Sequence, residues 1–132
     1  KTIGIFGGGQ LGRMLAQAAL PLGLHCTFFE AGSECPASKL GDVIDNTQPN
    51  ALQTFAASAD VFSLEFENTL LADADALIQT QTLYPPRQAL AIAQNRLSEK
   101  ALFAELEIPI APYTAIHSLA DLEQAAQTQG LP

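Results

Sequence analysis

Gly7, Gly9 and Gly12 stand between a short apolar run and a helical pattern in the stretch IFGGGQLGRMLAQAALPLG at 5–23. In a GxGxxG turn placed this way, the first glycine permits the sharp turn and the second admits a ligand to the backbone. The third lets helix and strand pack closely. The helix N-terminus beyond the turn offers unpaired N–H groups and a partial positive charge, a site for an anion or a polar group. Glu30, eighteen residues past Gly12, stands where nucleotide-binding folds often carry an acid for ribose hydroxyls. The turn alone admits either a dinucleotide such as NAD or a close strand-to-helix connection that binds nothing. Gln10 and Arg13 bring bulky polar side chains to it, and Pro85 and Pro86 cut short any second mononucleotide-binding half. A single Rossmann-like half fits better.

A second constellation is the carboxylate pair Glu65 and Glu67 in SLEFEN at 63–68. They stand at the C-terminal end of an expected buried strand, where alternation points both to one side, at the same sheet edge as the glycine turn. Two close carboxylates suit hydroxyls or an amine and repel phosphate. The alternative is that Glu65 caps the next helix and Glu67 is solvated. Arg96 and Lys100 lie one helical turn apart, so both could reach one polyphosphate, or they form a solvated face with Glu99 and Glu105. His25 and His117 have no acid or nucleophile at a suggestive spacing. Cys26 and Cys35 form no CxxC and have no neighbouring His, which suggests neither zinc nor a disulfide framework.

Composition narrows the possibilities. With 132 residues the chain has the size of one compact domain, or one and a piece of another. Hydrophobic residues at 48% and charged residues at 15% describe a globular protein. Six basic against fourteen acidic residues, a net charge of -8, leave no electrostatic footprint for nucleic acid. No apolar stretch approaches the ~20 residues of a membrane span and no signal-peptide pattern opens the chain, so a cytoplasmic location is expected.

The elements that must position these groups follow from periodicity. TIGIF at 2–6 reads as a strand, and apolar residues at 11, 14, 15, 18 and 19 mark one face of a helix that Pro21 and Gly23 stop. Strands are expected at 24–30, 42–45, 60–66 and 82–84, with helices at 50–58 and 69–80. This alternation implies an α/β fold, a Rossmann-like parallel sheet with helices on its faces. The Pro85–Pro86 break places a domain edge near 87, giving residues 1–87 and 88–132. Beyond it, Asn95 can cap a helix over NRLSEKALFAELE, and Ile108 to Pro112 form a linker. YTAI at 113–116 is strand-like, and Ser118 can cap a helix that Gly130 ends. The chain does not begin with Met and stops where another strand is expected, which suggests a piece of a longer protein.

GGGQLGRML at 7–15, EFEN at 65–68 and QNRLSEKALFAELEIPIAPY at 94–113 together resemble the N-terminal part of the N5-carboxyaminoimidazole ribonucleotide synthetase family of ATP-grasp enzymes. The segments occur in the family's order. The glycine turn alone is shared with glycinamide ribonucleotide transformylases and biotin carboxylases. The resemblance implies a pre-ATP-grasp domain over 1–87 and the opening of an ATP-grasp domain after it. It implies an enzyme using ATP and Mg²⁺ to carboxylate 5-aminoimidazole ribonucleotide with bicarbonate, releasing ADP and phosphate. By the same resemblance Gly9, Gln10, Leu11 and Glu65 bind that ribonucleotide, and Arg96 and Lys100 bind ATP. Relatives are usually homodimers. The chain departs from the family pattern at Asn95, where Asp is common, and at Thr69, where Val is common. The catalytic and magnesium-binding residues of the family fall after the last residue, so the resemblance implies that this chain is inactive alone. A formate-dependent transformylase and an NAD-dependent oxidoreductase are the alternative readings.

Overall fold

The computed structural model describes residues 1–130, in two units, Lys1–Gln94 and Asn95 onward. In the first unit, β1 (Thr2–Phe6), β2 (His25–Glu30), β3 (Asp42–Asp45), β4 (Val61–Leu64) and β5 (Leu83–Tyr84) form one sheet in the order β3-β2-β1-β4-β5. Every pairing is parallel, with Ile5 beside Phe28 and Phe6 beside both Phe29 and Leu64. The chain builds outward from β1 through β2 to β3, then crosses to β4 and β5 on the other side. The C-terminal ends of β1 and its neighbours therefore flank a topological switch point, where open α/β sheets hold ligands.

Strand alternation sorts the apolar residues onto two faces. Ile5, Cys26 and Phe28 pack with Ala16 and Ala19 of α1 (Gln10–Ala19). On the other face Phe6 and Phe29 meet Phe55 of α2 (Ala51–Ser58) and Phe62, with Phe29 stacked on Phe55 at 5.0 Å between ring centres. Leu77 of α3 (Leu71–Leu77) and Leu90 of α4 (Arg87–Ala93) complete that core. Buried aromatic rings of this kind dominate the stability of a small domain.

The structure differs from the sequence-based expectation in the buried face of α1, the end of β4 and residues 113–116. On α1 the buried residues are Gly12, Ala16 and Ala19, whereas Leu11, Met14 and Leu15 are 50%, 61% and 43% exposed. A Cβ on Gly12 would lie 2.9 Å from the carbonyl oxygen of Gly7, so the helix runs too close to the sheet for large inward side chains. Strand β4 ends at Leu64, short of both acids. Residues 113–116 form no strand, because no described segment pairs with them.

The first unit runs on to Gln94 because α4 is bound into it. Leu90 is buried in its core, Arg87 pairs with Asp75 at 2.7 Å, and the Gln94 side chain donates to the carbonyls of Glu67 and Thr69, both at 2.6 Å. In the second unit, the Asn95 carbonyl oxygen of the side chain accepts from the amides of Leu97 and Ser98 at the start of α5 (Arg96–Glu105). Ser118 caps α6 (Leu119–Gln129) by accepting from Asp121 N–H, and Gly130 ends it with φ of 78°. These are the side-chain types that satisfy orphan helix-terminal groups. The strand expected after Gly130 lies outside the described residues.

Candidate functional site

The glycine turn is held from both sides by acids of the neighbouring strand ends. Gly7, at φ of 99°, donates its N–H to the Phe29 carbonyl at 3.0 Å. Gly8 N–H donates to Glu30 Oε2 at 2.9 Å, and Gly9 N–H to Glu65 Oε2 at 2.6 Å. Leu11 N–H donates to Glu65 Oε1 at 3.2 Å. Glu65 is itself placed by its own N–H, which continues the β1–β4 ladder to the Phe6 carbonyl at 2.8 Å. Helix α1 has no cap of its own, since Gly9 at its N-cap has no side chain. A carboxylate supplied from fifty-six residues away takes that role, favoured by the partial positive charge of the helix end.

The glycines are what let the acids in. A Cβ on Gly7 would lie 2.6 Å from Glu65 Oε2, one on Gly8 2.6 Å from Cys35 Sγ, and one on Gly9 would collide with Glu65 Oε1. The helix N-terminus is therefore not the open anion site that the spacing suggests. A second anion there would meet the Glu65 charge at close range. The turn instead presents a carboxylate whose remaining lone pairs accept from hydroxyl or amine donors. Gln10 and Leu11, at the exposed start of α1, stand next to it.

The two acids of EFEN part company. With β4 ended at Leu64, alternation no longer governs Glu67, whose side chain is exposed while its carbonyl is held by Gln94. Glu30 also binds backbone, accepting from Gly8 and from Ala31 N–H at 2.9 Å.

On the other flank of the turn lies a crevice of about 180 Å³, lined by Gly7, Glu30, Asn46, Phe66, Asn68 and Asp73 among others. Burial pushes the Asp73 carboxyl up from its ordinary value. Sequence reasoning assigned nothing to Asn46, Asn68 or Asp73. Asn46 directly follows β3 and Asn68 closely follows β4, so parallel strand order was a usable signal for both. Asp73, on the first turn of α3, carried no such signal.

Arg96 and Lys100 are on α5 of the second unit, each with a partner of its own. The Arg96 guanidinium, 73% exposed, pairs with Glu99, and Lys100 Nζ lies 4.9 Å from the centre of the Tyr113 ring. Cys26 is buried, which raises its thiol pKa, and both cysteines are free. Among the described residues no group of three or more His, Cys, Asp or Glu could hold a metal ion, and no helix is long and apolar enough to cross a membrane.

The model of the ribonucleotide synthetase preATP-grasp domain matches residues 1–94. The chain belongs to this family. It is similar to the N5-carboxyaminoimidazole ribonucleotide synthase of Brucella melitensis, 42% identical over 119 residues, covering 88% of this chain and 33% of that protein. Its fold is similar to the N5-carboxyaminoimidazole ribonucleotide synthetase of Thermus thermophilus, with a TM-score of 0.87 at 41% identity, over 98% of this chain and 37% of that one. The N5-carboxyaminoimidazole synthetase of Staphylococcus aureus complexed with ADP matches with a TM-score of 0.87 at 29% identity, over 99% of this chain and 36% of that one. The chain thus spans about a third of the length of these relatives.

Proposed function

We propose that this chain supplies the nucleotide platform of an enzyme that carboxylates 5-aminoimidazole ribonucleotide with bicarbonate to N5-carboxyaminoimidazole ribonucleotide, using ATP and releasing ADP and phosphate. The observation that carries the reading is the Glu65 carboxylate on the amides of Gly9 and Leu11, in a chain whose relatives are synthetases of that product.

Gly9, Gln10, Leu11 and Glu65 form the substrate face. Glu65 accepts a hydrogen bond from an amine or ribose hydroxyl of the nucleotide, and its charge turns the phosphate away from the turn. Gln10 adds a side-chain contact. Residues from Asn95 onward open the ATP-grasp domain, where Arg96 and Lys100 exchange Glu99 and Tyr113 for ATP phosphates. The ADP complex of the Staphylococcus aureus relative supports ATP as the co-substrate.

Mg²⁺ would neutralise phosphate charge in the transfer. The described residues offer it no ligand cluster, so no step in this chain is assigned to it. The chain is inactive alone, and the full-length enzyme is a cytoplasmic homodimer. The test is ADP release by the full-length protein with ATP, Mg²⁺ and bicarbonate, with and without 5-aminoimidazole ribonucleotide. Strong dependence on the nucleotide supports the reading, and its absence in a folded protein overturns it.

A further inference from the structure

The crevice beside the clamped turn has a composition of its own. Asn46, Asn68 and Asp73 contribute two carboxamides and a carboxylate, and none of these side chains has a hydrogen-bond or ion-pair partner among the described residues. Glu30, the other acid there, already accepts from two amides, which leaves Asp73 as the wall's open acceptor. Phe66, 45% exposed, gives a flat apolar surface against which a ring can lie. No Lys or Arg lines the space. At about 180 Å³ it is smaller than a site that encloses a whole small ligand, so it would take part of one.

Carboxylates are acceptors only, and carboxamides can donate or accept. A partner for this wall carries several N–H or O–H donors and no negative charge at that end. We propose that the crevice is a subsite for the donor-rich, phosphate-free part of the ribonucleotide, its ribose diol or its exocyclic amine, with Asp73 as the specificity-determining acceptor. This rests on the function proposed above, and it adds an arm of recognition to the turn held by Glu65. Asn68 supports it from the loop that Gln94 fixes at Glu67 and Thr69.

The experiment measures binding to the full-length protein by calorimetry, for wild type, Asp73→Ala and Asn68→Ala. The ligands are 5-aminoimidazole ribonucleotide, its 2′-deoxy analogue, the analogue lacking the 5-amine, and ATP. Asp73→Ala is expected to weaken the natural nucleotide about tenfold or more and to leave ATP unchanged. The analogue that lacks the contacted group should bind variant and wild type alike, which identifies whether diol or amine sits at Asp73. Asn68→Ala, in a loop, gives the same analogue-selective loss should Asp73→Ala fold poorly. Equal affinity of all ligands for wild type and both variants overturns the subsite. An equal loss for every ligand, ATP included, overturns it as well. A wild-type protein that neither binds nor turns over the nucleotide overturns the function with it, whereas full turnover with unmoved variants overturns the subsite alone.

Discussion

The glycine turn and helix α5 both bring polar side chains to a helix N-terminus, and they do it in opposite ways. At the turn, the partners are distant in sequence: Glu65 reaches Gly9 across fifty-six residues and Glu30 reaches Gly8 across twenty-two. At α5, they are near: Asn95 caps its own helix and Arg96 pairs with Glu99 three residues on. A long-range hydrogen bond to backbone exists only once the sheet has formed, so it reports the tertiary structure and shapes a site. A local pair on an exposed helix would form in many contexts and contributes little by itself. The turn is thus assembled by distant parts of the chain, whereas Arg96 and Lys100 are engaged by Glu99 and the Tyr113 ring.

This contrast can be broken most forcefully at Gly12. Gly12→Val places a branched side chain against the Gly7 carbonyl, 2.9 Å from the Cβ position, and should cost about 2–3 kcal/mol, as overpacking does. Urea denaturation would read it, and an unchanged midpoint would mean that α1 can slide off the sheet. Glu65→Ala removes the distant cap, with an expected loss of about 1–2 kcal/mol together with impaired nucleotide binding in the full-length enzyme. Arg96→Ala should change stability by less than about 0.5 kcal/mol, while raising the KM for ATP in the full-length enzyme. A large drop in melting temperature there would erase the distinction between the two regions.

The smallest effect is expected at Asp45, whose carboxylate accepts from Gly32 N–H, from Thr47 and from Gln48. These bonds, the one from Gly32 first, hold its carboxyl well below the usual carboxylate range. Its contribution is present above the unfolded value, about pH 4, and is lost as pH falls through the lower native value. Asp45→Asn should therefore lower stability slightly at neutral pH, where the contribution is present, and flatten its loss below about pH 4, as an acid titration of the melting temperature would show.

The sheet was legible in the sequence because each strand is a compact apolar run closed by glycines, acids or prolines, and the α/β alternation left one economical arrangement. The caps at Asn95 and Ser118 were legible because their partners lie within the next helical turn. The inward face of α1 was not. Hydrophobicity points to Leu11, Met14 and Leu15, whereas closeness to the sheet selects Gly12, Ala16 and Ala19. The acids were found by type and position, but not their partners. Strand alternation paired Glu65 with Glu67, and the end of β4 at Leu64 separated them. The crevice residues Asn46 and Asp73 come from segments far apart in the chain, which only the folded sheet edge brings together.

The most direct test of the account is amide hydrogen exchange at the turn, compared between wild type and Glu65→Ala. The account predicts that Gly9 and Leu11 are protected in wild type and lose that protection in the variant, while Ile5 and Phe28 in the strands exchange as before. Unchanged protection at Gly9 and Leu11 would contradict it, since the turn would then be ordered without the carboxylate.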